Sequence, residues 1–96
     1  MKWDVQFERP AQIELAEAFH HYNRLSFGLG GDFLRMVAAA EERLAHNPLA
    51  YAPTGLRFRR ILLRRFPYAL HFEILKDQRV SVLACLHHRQ SPRRWP

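Results

Sequence analysis

The chain reads as an α+β domain of order β-α-α-β-β-β, a helix hairpin packed on one face of a mostly antiparallel sheet. Three observations predict this. A short amino-terminal run alternates between apolar and polar residues, two apolar stripes at helical spacing flank a glycine cluster, and three apolar-rich runs with turn residues between them close the sequence. Ninety-six residues, 48% of them hydrophobic, suit a single domain spanning residues 1–96.

From Trp3 to Glu8, the side chains of Trp3, Val5 and Phe7 alternate with Asp4, Gln6 and Glu8, the period of a half-buried strand. Pro10 suits the first turn of a helix. From Ala11 to about Phe27, Leu15, Ala18, Phe19, Tyr22 and Leu25 recur at steps of three and four, forming one apolar stripe. Gly28, Gly30 and Gly31 interrupt it. A second stripe runs through Phe33, Val37, Ala40 and Leu44 and stops at Asn47-Pro48, which predicts an antiparallel helix hairpin.

Asn47 to Leu56 carries two prolines, a glycine and no charge, and reads as a loop. Phe58–Leu63, Tyr68–Leu75 and Val80–Leu86 then predict a three-stranded meander, with Asp77-Gln78 supplying the second turn. Tyr68, Leu70, Phe72 and Ile74 are expected to face the helices, together with Val80, Val82, Ala84 and Leu86. The opposite sheet face should carry the arginines, with His71, Glu73, Cys85 and His87 on that side. The basic tail from Arg89 to Pro96 reads as loosely ordered.

Composition narrows the function. One cysteine excludes an intramolecular disulfide, and Cys85 in an apolar run reads as a packing residue. No apolar run approaches the roughly 20 residues of a membrane helix, so a cytoplasmic protein without a membrane role is expected. No metal or cofactor motif is present. His20-His21 point about 100° apart on a helix and chelate poorly, and His71 with His87 lacks a third ligand.

The net charge of +6 is polarised. Residues 1–56 hold five basic and seven acidic residues, a net −2, whereas residues 57–96 hold ten basic and two acidic ones, a net +8. Nine of those ten are arginines, with Arg57, Arg59, Arg60, Arg64 and Arg65 inside nine residues, which points to an anionic partner. His87 and Arg89 beside these arginines suggest a metal-independent nuclease, the imidazole moving protons and the guanidinium groups holding a phosphate. Glu73 is the internal acid that such a site would use. The competing reading has the arginines dock on an acidic protein segment, with no bond broken. Trp95, beside Arg93 and Arg94, suits stacking on a base or folding over the sheet edge.

The early strand, the hairpin ending in Asn47-Pro48, the run Arg59-Arg60-Ile61-Leu62-Leu63-Arg64-Arg65-Phe66-Pro67-Tyr68 and the close Leu86-His87-His88-Arg89-Gln90-Ser91-Pro92-Arg93-Arg94-Trp95 together resemble the RelE/ParE superfamily of type II toxins. The resemblance covers nearly the whole chain. It implies a growth-inhibiting toxin of the plasmid-stabilisation type, neutralised by a cognate antitoxin that lays an acidic segment on the basic surface. It also implies one of two targets, DNA gyrase or the ribosome with its messenger RNA.

For the nuclease branch, Arg60 falls on a basic strand position and Arg89 on the transition-state arginine, with Arg65 also on the phosphate and His87 as general acid. Leu62 and Ala69 stand where that branch has basic residues. Trp95 stands where it has a tyrosine and offers no hydroxyl. The resemblance is therefore nearer to ParE, with Arg57, Arg59, Arg64, Arg93, Arg94 and Trp95 expected to bind target or antitoxin. A non-toxic basic nucleic-acid-binding domain is the third reading.

Overall fold

The computed structural model describes residues 2–90. Strand β1 (Asp4–Phe7) leads into helix α1 (Arg9–Leu25), with Pro10 in its first turn as expected. Helix α2 (Leu29–His46) follows after three residues, and Gly28 makes the turn at φ 82°, a left-handed conformation glycine adopts without strain. Strands β2 (Phe58–Leu62), β3 (Tyr68–Leu75) and β4 (Arg79–His87) complete the order. The loop before β2 contains a short 3₁₀ turn, Pro48–Ala50, capped by the Asn47 side chain.

Helix α2 begins earlier than the glycines suggested. Gly30 and Gly31 lie inside its first turn, and Gly30 sits in close contact with α1. A Cβ there would meet Asn23 Oδ1 at 2.6 Å and the Phe19 carbonyl oxygen at 2.8 Å. The Gly30 N–H instead donates to Asn23 Oδ1 at 3.0 Å, so this glycine closes the hairpin.

The sheet order is β1-β4-β3-β2, with β1 parallel to β4 and the other neighbours antiparallel. β1 is pinned at its start by the Trp3 N–H to the Ala45 carbonyl of α2. The helices cover one sheet face. Phe33, Val37, Ala40 and Leu44 of α2 and Ala11 and Ala18 of α1 pack with Ile61, Leu70, Phe72, Val80, Val82 and Cys85. The rings of Tyr22, Phe33, Phe66 and Tyr68 interlock at 4.8–6.0 Å, fixing the Phe66-Pro67-Tyr68 turn against the hairpin.

One irregularity decides what faces where. Between His71 and Phe72 the β3–β4 register slips: His71 pairs with Ala84 but Phe72 with Val82, so Leu83 is an extra residue, a β-bulge. Beyond it the alternation of β4 inverts. Val80 and Val82 face the helices as expected, but Ala84 and Leu86 pair with His71 and Ala69 on the other face. Cys85 and His87 move to the helix side instead, where Cys85 joins the core. The bulge is held from outside the sheet, because Glu14 Oε1 on α1 accepts the Cys85 N–H at 2.9 Å.

No helix among the described residues is long and apolar enough to cross a membrane.

Candidate functional site

The face of the sheet away from the helices is organised in three cross-strand rows. Leu62, Ala69 and Leu86 form an apolar row, Arg60, His71 and Ala84 a basic one, and Phe58, Glu73 and Ser81 the third. Ala69, His71, Ala84 and Leu86 are all buried, which gives the face a floor and not an open plain. A cleft of about 310 Å³ lies over it, lined by Thr54, Arg60, Ala69, His71, Leu86 and the turn His87, His88 and Gln90.

Arg60 is the guanidinium that this face presents. Its side chain is exposed and has no carboxylate partner among the described residues. Opposite it, His71 is 5% exposed. Burial lowers its imidazole pKa from the ordinary value, and Arg60 lowers it further, against a weaker opposing pull from Glu14. At neutral pH His71 is therefore an uncharged group beside a fixed cation.

Among the described residues, the arginines nearest to Arg60 are engaged elsewhere or stand at the rim of this face. Arg59 alternates to the helix side and donates to the Tyr51 carbonyl at 2.7 Å. Arg65, in the turn at φ 71°, reaches Asp32 of α2 at 3.6 Å and lies over the Phe66 ring. Arg57 lies 3.8 Å from Glu73. Arg64 is exposed at the β2–β3 turn. Among the described residues, the arginine-lined sheet face expected from the sequence thus narrows to Arg60, with Arg57, Arg59 and Arg65 tethered around it and Arg64 exposed at the turn. Strand alternation separates Arg59 from Arg60, and long side chains reach past the sheet edge to nearby acceptors.

His87 is likewise displaced. It pairs across the sheet with Tyr68, and its ring packs edge-on against the Tyr68 ring at 5.3 Å, on the helix side. Its Nδ1 accepts the Arg89 N–H at 3.1 Å, while Gln90 Oε1 accepts the His87 N–H at 2.8 Å. These bonds close the turn that bounds the cleft. His87 therefore bounds one end of the cleft that Arg60 also lines, with its ring turned to the helix side by the bulge at Leu83. Arg93, Arg94 and Trp95 lie outside the described residues.

Cys85 is buried, and its thiol is pushed up to about 12, chiefly by burial with Glu14 adding to it, which fits a packing role. No group of three metal-ligating side chains occurs among the described residues. Sequence reasoning passed over Glu14, the carboxylate that holds the bulge, because on the helix it reads as one more solvated acid.

A helix hairpin packed on one face of a four-stranded sheet is a fold shared with solved structures from toxin-antitoxin systems. The chromosomal ParDE system of P. aeruginosa aligns with 88% of this chain and 95% of its own at TM-score 0.73 and 17% identity. The RelBE2 toxin-antitoxin complex of Mycobacterium tuberculosis aligns at TM-score 0.63 and 21% identity, over 91% of this chain and 99% of that one. The isolated E. coli RelE toxin aligns at 0.58 and 14%, over 96% and 90%. Residues 5–92 match the family described as the ParE toxin of the type II toxin-antitoxin system parDE, and the chain belongs to that family within the RelE/ParE superfamily. No curated protein sequence matches it.

Proposed function

We propose that this type II toxin acts as ParE toxins are expected to, arresting growth by docking on DNA gyrase without breaking a bond, and that a cognate antitoxin neutralises it. The observation that carries this reading is the orientation of His87, which bounds the same cleft as Arg60 but packs its ring edge-on against Tyr68 on the helix side. Cleaving a phosphodiester requires a proton donor and positioned cations around one phosphate. Here the His87 imidazole packs edge-on against Tyr68 at the helix side, the His71 imidazole opposite Arg60 is held neutral by burial, Arg65 is engaged with Asp32, and Arg60 stands between the apolar positions Phe58 and Leu62. A single cation framed by apolar residues suits a protein surface.

Arg60 at the centre, with Arg57 and Arg64 at its rim, forms the docking surface in this reading. The neighbouring ParDE system and RelBE2 complex support an antitoxin as the second occupant. The cytoplasm is the compartment where both partners would be met. Transcripts recovered from cells arrested by the protein test the reading. Intact messages are expected; cuts in translated messages that vanish in Arg60→Ala would establish the ribosome-dependent nuclease instead.

A further inference from the structure

The pairing of Arg60 with His71 has a thermodynamic consequence. We infer that the cleft over these residues is a carboxylate-binding site for an acidic, partly apolar segment of the antitoxin, and that His71 takes up a proton when the site fills. This rests on the toxin-antitoxin reading above and adds the ligand group and its regulation.

The chemistry of the walls selects the ligand. A nucleic-acid backbone repeats its charge at every residue and is held by rows of cations. Among the described residues this cleft offers one guanidinium, that of Arg60, and the row beside it is Leu62, Ala69 and Leu86. One carboxylate between apolar side chains matches that pattern, with the guanidinium fork receiving it. Glu73, the acid on the same face, is drawn toward Arg57 and leaves Arg60 available.

His71 is directly opposite Arg60 in the register, so a carboxylate seated on the guanidinium lies against the imidazole also. In the empty site the imidazole is neutral, since burial and Arg60 both oppose its charge. A bound anion offsets the repulsion from Arg60. The other titratable and charged groups around His71 are Glu73 on its own strand, Arg57 paired to that glutamate, His87 at the end of β4 and His88 after it, both lining the cleft, and Glu14 from α1.

Calorimetry of the purified protein with its cognate antitoxin, in two buffers of different ionisation heat and from pH 6 to 8, measures the linkage. The wild type is expected to absorb up to one proton, with affinity strengthening by up to about tenfold per pH unit as pH falls between the free and bound pKa values. His71→Gln should bind without that proton. In parallel, the His71 ring resonances of the wild-type protein should titrate at higher pH in the complex, a reading independent of any folding defect in the variant. Equal proton uptake in wild type and His71→Gln, or an unshifted His71 titration, overturns the proposal while leaving the antitoxin reading intact. Absence of any antitoxin binding to the wild type refutes both. Proton-linked binding of a short single-stranded RNA, with none for the antitoxin, makes this a phosphate site and overturns the carboxylate assignment.

Discussion

Replacing Glu14 with alanine removes a side chain that ties β4 to the helix layer beside the bulge. The Cys85 N–H donates to Glu14 Oε1 at 2.9 Å, and Cys85 is 1% exposed, so water does not readily take the place of the lost acceptor. A hydrogen bond to a charged group contributes about 1.5–3 kcal/mol, and an orphaned buried donor costs a similar amount. Taking about 2 kcal/mol, and a midpoint shift of about 4–8 °C per kcal/mol for a domain of this size, Glu14→Ala should melt about 8–16 °C below the wild type. Glu14→Gln keeps a neutral acceptor and should recover about half of the loss, since neutral bonds are roughly half as strong. Thermal unfolding at pH 7 followed by circular dichroism gives the midpoints. Amide exchange at Cys85 reports the bond itself and should accelerate more than exchange in β3. An unchanged midpoint with the Cys85 amide still protected would refute the claim that α1 fixes the bulge.

Gly30→Ala should destabilise the protein in urea titrations, because overpacking against the Phe19 carbonyl and Asn23 costs about 1–3 kcal/mol and outweighs the roughly 1 kcal/mol that alanine adds to helix propensity; a variant as stable as wild type would contradict the close approach. His71, with a folded pKa below its ordinary 6.5, contributes stability that is complete above that pH and is lost as pH falls toward the folded value, so wild-type stability should decline across that window while His71→Gln stays flatter. Equal slopes for the two proteins would show that His71 is not the titrating group. Cys85, buried with its thiol pushed up to about 12, should resist a thiol reagent at pH 8 in the native protein and react promptly once unfolded; rapid native labelling would place it at the surface.

The legible part of the fold was carried by periodicity. The stripe through Phe33, Val37, Ala40 and Leu44 and the alternation of Tyr68, Leu70 and Phe72 each state a period, and each face met the core it implied. The bulge was not legible. From Val80 to Leu86 nearly every residue is apolar or small, so no polar position marks where the alternation reverses, and a slip of one residue exchanges the faces. That is why Cys85 and His87 changed sides. The site was legible as charge and not as geometry. Nine arginines in the carboxyl-terminal half announced an anionic partner, but Arg59, Arg65 and Arg57 are each committed to an acceptor supplied by another part of the chain, at Tyr51, Asp32 and Glu73. Only tertiary contacts show that, among the described arginines, Arg60 is the one lining the cleft. The reverse holds for Gly30, where a sequence signal for a break marked a close helix contact.

Supercoiling of relaxed plasmid by purified DNA gyrase, measured with this protein at saturating concentration, tests the central claim most directly. The account predicts that wild-type protein blocks supercoiling, that Arg60→Ala relieves the block, and that adding the antitoxin restores activity. Undiminished supercoiling at saturation, from a protein that still arrests growth, would contradict it.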